Sequence, residues 1–432
     1  MNARLAILTI LIFLLLPACG VLEVGLEEPP PHETATTLPH APAFPPTVTF
    51  APTQPADFDP LPAGQKIILR AIDMQDKLTG WGIGQIEGQP NDYLLVTSDG
   101  GRSWRNRTPR IAHQNPPSQG LNATAFFGPD GLAWAIFTNH ALETYTPSEQ
   151  VVWRTADYGQ TWQAGAQLPL EGLPGEFFVP DHLGFLDARH GWLMAHLGAG
   201  MSHDYIAIFL TDEGGQTWRR VLDPKRTPTL MACPKTGLAF SNPQNGWLTG
   251  DCPGLMPGLF LYSARDGGET WQPVSLPVPS GQPADLFGGE RAGCGVPGLA
   301  YTGADAVLFP VRCSPYSGGQ ASAWLYAAGP AGAFTARALP LPYGNLQFIN
   351  PREGWFIGAQ TGDPTAPGEI YHTVDGGLNW KLVLATGWQG TPHFVDSMTG
   401  WVIARAGEKT ALVYTANGGV FWEEINAVVG KD

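Results

Sequence analysis

The chain has 432 residues, with 38 acidic against 24 basic side chains, a net charge of −14 and only 14% charged residues. That balance argues against nucleic acid as a partner and against a polybasic membrane-binding surface. Abundant Gly (54), Pro (41) and Trp (15) point to many short strands joined by turns, not to long helices.

The N-terminus reads as a targeting segment. Arg4 supplies a short positive start, and Leu5 to Leu16 is an apolar run of 12 residues, too short to span a bilayer. The run ends in Leu16-Pro17-Ala18-Cys19-Gly20, which resembles the bacterial lipobox. The resemblance implies cleavage before Cys19 and lipidation of its thiol, so that residues 1–19 form a lipoprotein signal and its anchor point. Residues 20–62 follow as a linker. With 11 prolines between Val21 and Pro62 and no hydrophobic periodicity, this stretch is expected to be disordered. Residues 63–432 remain for the folded part.

From there one eight-residue phrase recurs: Thr97 to Trp104, Thr155 to Trp162, Thr211 to Trp218, Ala264 to Trp271, Thr373 to Trp380 and Thr415 to Trp422. Upstream of each copy lies an apolar run, a turn and a Gly-Trp pair, at Trp81, Trp192, Trp247, Trp355 and Trp401, with Ala133-Trp134 in the second unit. Each unit then splits into four short strands, A to D. In the sixth they are expected at 346–349, 355–357, 369–372 and 380–383. Between the fourth and fifth copies lies a unit in which the phrase has decayed, with Phe334 and Leu308 at the two tryptophan positions. Seven four-stranded antiparallel units predict an all-β, seven-bladed propeller.

The repeated polar residues have a structural reading. Asp99, Asp157, Glu213, Asp266, Asp375 and Asn417 are expected to hold the tight C–D turn through backbone bonds, with a glycine two positions on. Trp104, Trp162, Trp218, Trp271, Trp380 and Trp422 then open strand D and wedge between blades. These side chains offer too few oxygens for a calcium cage, and no metal or cofactor is expected.

Besides Cys19, four cysteines remain: Cys233, Cys252, Cys294 and Cys313. Each neighbouring pair brackets a predicted A–B turn, so residues equidistant from that turn face each other. Disulfides Cys233–Cys252 and Cys294–Cys313 are expected, which an extracytoplasmic compartment permits.

Together, Gly-Trp on strand B and T-x-D-G-G-x-x-W on the C–D turn resemble the photosystem II assembly and stability factor family of propellers. The resemblance covers roughly 360 residues and is specific for fold rather than function. It implies a lipid-anchored, non-catalytic scaffold that binds an extracytoplasmic protein or a membrane-protein segment. A monomer is expected. The turn motif alone also looks like the Asp-box of sialidases, which leaves a secreted glycoside hydrolase as the alternative. The sialidase Arg-(Ile/Leu)-Pro segment is absent, Arg110-Ile111-Ala112 coming nearest. Carboxylates in predicted loops (Glu143, Asp181, Asp204, Asp285, Glu290) are read as solvated.

Contacts with a partner are expected on the face carrying the long B–C and D–A connections, at 139–150, 196–205, 277–292, 314–322 and 360–368. Tyr145, Tyr205, Met256, Phe287 and Tyr316 are the candidates there. Arg102, Arg105, Arg107 and Arg110 form the one arginine concentration and are a second candidate. Among the histidines of the third unit, His190 should lie at the end opposite His196 and His203.

Overall fold

A computed structural model describes residues 60–109, 120–139, 150–173, 178–252, 258–304, 306–329 and 332–431. Cys19 and the linker up to residue 59 lie outside them. The described chain forms seven sheets in a ring, each built on antiparallel strands that follow one another in sequence. Among the described residues the helical turns are short 3-10 segments only, and no helix is long and apolar enough to cross a membrane. This is the seven-bladed propeller expected from the repeats.

Strands A to D run Ile67–Met74, Gly80–Ile86, Asp92–Thr97 and Ser103–Asn106 in blade 1. In blade 3 they run Val179–Phe185, Gly191–Gly200, His203–Thr211 and Arg219–Leu222. Blade 6 places them at Tyr343–Phe348, Gly354–Ala359, Gly368–Thr373 and Lys381–Thr386. The ring closes between blades 7 and 1. Val428–Val429 adds a parallel strand beside Ser103 and Trp104. His393 Nε2 accepts the Met74 amide at 2.8 Å across the same seam.

The repeated turn is held as its chemistry requires. In blade 1 the Gly101 N–H donates to Thr97 Oγ1 (3.0 Å), and Ser103 donates its N–H (2.9 Å) and its hydroxyl (2.5 Å) to the Asp99 carboxylate. The same set recurs around Asp157 and Asp375. Gly100 and Gly101 sit at φ +76° and +92°, a region that disfavours any side chain. The turn carboxylates are thus consumed within their own turns.

The tryptophans do two different jobs. The strand-B indole crosses to the next blade: Trp134 stacks on Phe185 at 3.8 Å and donates to the Gly214 carbonyl at 2.9 Å. Trp401 likewise donates to Gly100 (3.0 Å), and Trp355 stacks on Phe394 (3.8 Å). The tryptophan ending the repeated phrase stands edge-on to that same phenylalanine, as Trp218 does to Phe185. It opens strand D in none of these blades: Trp104 is the second residue of its strand, and in blades 2, 3, 4, 6 and 7 strand D begins just after the tryptophan. In Trp104, Trp271 and Trp422 the indole N–H turns back onto the second glycine's carbonyl and closes the turn.

Blade 5 is the decayed unit. Leu308 pairs with Tyr301 and Ala327, as Trp355 pairs with Gln347 and His372 in blade 6, so Leu308 holds the strand-B tryptophan position. Thr302 then occupies the place of Phe348. Phe334 pairs with Ala328, which makes this C–D turn one residue shorter than the others.

Both disulfides are present, with Cα separations of 5.3 Å for Cys233–Cys252 and 4.1 Å for Cys294–Cys313. They fit an oxidising, extracytoplasmic environment. Each ties the start of strand A to the far part of strand B, at the end of the ring where the long connections emerge.

Candidate functional site

The ring has two unlike ends. The turn face carries the A–B and C–D turns. The loop face carries the B–C and D–A connections and both disulfides. Long connections there include 274–291, with a 3-10 turn at Leu286–Gly288, as well as 316–321 and 360–367. One expected loop is not a loop. Residues 196–205 belong to a long hairpin, because strands B and C of blade 3 stay paired out to Gly200 and His203.

That extended pairing builds a row of charged side chains near the loop-face end. Asp181 comes from strand A, His196 from strand B and Asp204 from strand C. His196 Nδ1 lies 2.7 Å from Asp204 Oδ1, and its Nε2 lies 3.5 Å from Asp181 Oδ2. His182 Nε2 reaches the same Asp181 oxygen at 3.3 Å. At the other end, Asp204 Oδ2 accepts the Lys235 amide of blade 4 at 2.9 Å, with the Lys235 ammonium 4.0 Å away. The reading of Asp181 and Asp204 as separate solvated loop carboxylates is therefore corrected: both lie in strands and share one imidazole. The signal in the sequence was three ionisable residues, one on each of three consecutive strands, although the register sets them diagonally, Asp181 opposite Met194 and Asp204 opposite Ala199.

The row fixes its own charges. Burial works against ionised His196, but hydrogen bonds with Asp181 and Asp204 and their charges outweigh it and raise it to about 9. Burial pushes Asp181 up, yet His196 and His182 bring it down to about 2. Asp204 is lowered in the same way, against its burial. Burial alone dominates at His182, which is pushed down, and at Lys235, pushed down to about 8. A histidine raised on folding contributes stability that is complete below about 6.5 and lost as pH climbs toward about 9. Lys235 opposes this only above about 8, where its proton is lost more easily folded than unfolded. Between pH 6.5 and 8 the melting temperature should therefore fall with pH, and a His196→Gln variant should flatten that limb; a scan of melting against pH checks it.

His182 also opens onto the axis of the ring. Its backbone is at φ +44°, a strained value for a residue with a side chain. It lines an axial cavity of about 510 Å³ together with Thr236, Tyr301, Thr302, Asn345 and Thr391, from blades 4 to 7. This wall offers hydroxyls, an amide and an imidazole kept neutral by burial, a set suited to hydrogen-bonding a polar ligand. Among the described residues no group of three or more His, Cys, Asp and Glu is arranged to hold a metal ion. His190 sits at the opposite end, paired with Asp187 at 2.9 Å.

The expected contact residues divide. Tyr205 and Tyr316 are exposed on the loop face (37% and 53%), and Tyr205 stacks with His203. Phe287 is half-buried and packs against the blade 5 core. Tyr145, Met256 and Arg110 lie outside the described residues. The arginines do not share one surface. Arg102 is on the turn face, holding the Asp99 carbonyl, Arg105 is exposed on strand D, and Arg107 is half-buried with Nη1 donating to the Asn106 carbonyl. The turn face instead carries a feature the sequence reading missed: exposed Val374 and Leu378 in blade 6 and Val420 and Phe421 in blade 7. They occupy the variable positions of the repeated phrase.

No family model matches the chain, and no curated protein matches it. Solved structures share its fold. An oligogalacturonate lyase in complex with manganese aligns with a TM-score of 0.54 at 10% identity, over 85% of this chain and 97% of that one. A prolyl endopeptidase aligns with a TM-score of 0.51 at 8% identity, over 86% of this chain, which spans only 51% of the endopeptidase. The GH74 enzyme of Niastella koreensis aligns with a TM-score of 0.46 at 11% identity, over 86% of this chain and 68% of that one. The expectation of a non-catalytic protein is corrected by the first two, both enzymes, so this architecture is no argument against catalysis.

Proposed function

We propose that the protein is an extracytoplasmic recognition propeller, held at a bacterial membrane by lipid on Cys19. It docks a protein partner or membrane-protein segment on its loop face; the photosystem II assembly and stability factors it resembles also bind membrane-protein assembly intermediates. The observation that carries this reading is the gathering of both disulfides, the unequal connections and exposed Tyr205 and Tyr316 at one end of a rigid ring. Irregular loops on a stiff scaffold are where proteins place recognition, and tyrosine gives contact area at low entropy loss. Photo-crosslinkers at Tyr205 and Tyr316 in the native membrane test it: adducts to one defined protein are expected.

One observation favours a second reading. Asp181 and Asp204 flank His196 next to His182 of the axial cavity, and a carboxylate kept ionised is one of the two groups a glycoside hydrolase uses. Aryl-glycoside hydrolysis that disappears in Asp181→Asn would select that reading over docking.

A further inference from the structure

Another cavity lies between blades 4 and 5 on the turn face, and it is a consequence of the decay of blade 5. Where blade 2 meets 3 and blade 6 meets 7, a phenylalanine stacks on the strand-B indole at 3.8 Å and the next blade's turn accepts its N–H. Here the cover is thinner, with Phe309 approaching only tilted, at 6.1 Å. By register Thr302 stands where the phenylalanine belongs, and the shortened turn at 328–334 offers Gly329 and Gly332 without the repeated phrase. Five of the six strand-B tryptophans are buried: Trp81, Trp134, Trp192, Trp355 and Trp401. Trp247 is the sixth, and it stays half-exposed on the wall of a cleft of about 820 Å³.

We propose that this cleft binds a short pyranose oligosaccharide. The lining combines what such a ligand needs. Trp247, with Phe334 edge-on to it at 6.3 Å, supplies an aromatic surface for the C–H face of a sugar ring. Asn245, Ser263, Gln272 and Arg265 place amides, a hydroxyl and a guanidinium around it. Such donors and acceptors, around one aromatic platform, match vicinal hydroxyls better than they match an apolar ligand. The volume is in the range of small-ligand sites. The site is remote from the loop face, so it does not rest on the docking reading.

The probes are maltotriose, cellotriose, N-acetylchitotriose and trigalacturonate, titrated into the full-length protein by calorimetry and by tryptophan fluorescence. At least one should bind with a dissociation constant below about 1 mM. Trp247→Phe should remove the fluorescence change and weaken binding tenfold or more. Gln272→Ala, on the exposed edge strand, should weaken it by about three- to tenfold with an unchanged melting temperature. Binding of none of the four, or binding that both variants leave unaltered, would overturn the proposal.

Discussion

Trp134→Ala is expected to destabilise the ring by about 4–5 kcal/mol, the upper part of the range for deleting a buried aromatic. The indole is 1% exposed, stacks on Phe185 at 3.8 Å, and is the donor to the Gly214 carbonyl. Truncation leaves a cavity between blades 2 and 3 and strands that carbonyl. The melting temperature should fall by roughly 5–10 °C. Trp247→Ala is the internal control, because its indole is only half-buried and meets the next blade's Phe309 tilted, at 6.1 Å, with no close stack. Its loss should be about 1–2 kcal/mol. Calorimetric melting of the two variants side by side checks the difference. Equal losses would mean that the indoles do not fasten blade to blade as described.

Removing both disulfides is the other large effect. Each closes a loop of 19 residues, worth about 3 kcal/mol through restriction of the unfolded chain. Replacing all four cysteines by serine should therefore lower stability by about 6 kcal/mol if the two contributions add. The loss should be local in one respect. Hydrogen exchange should accelerate first in blades 4 and 5 at the loop-face end, where Cys233–Cys252 and Cys294–Cys313 clamp strand A to strand B. Amides of the C–D turns in blades 1, 6 and 7 should keep their protection, because their hydrogen bonds are untouched.

These two predictions come from features that differ in how plainly the residues declared them. The blade count was legible because a glycine pair and a tryptophan must recur wherever the same tight turn recurs. The cysteine pairing was legible because antiparallel register places residues equidistant from a turn side by side. What the strand-B indoles reach was not legible, since Trp134 and Gly214 are far apart in sequence and meet only when blades close into a ring. The Asp181–His196–Asp204 row was hidden for a related reason. Its members sit on three strands, and residues 196–205, rich in Gly and polar groups, read as a loop although they continue the hairpin. The cleft beside Trp247 could be named only after Thr302 was found at a position that phenylalanine fills in blade 6.

Docking through the loop face has one sharp rival within the molecule, the exposed apolar side chains of the opposite turns. Site-specific photo-crosslinking in the native membrane compares the two directly, with probes at Tyr205 and Tyr316 on one face and at Leu378 and Phe421 on the other. The account predicts adducts to one defined protein from Tyr205 and Tyr316 and none from the turn-face pair. Adducts from Leu378 and Phe421 alone would contradict it.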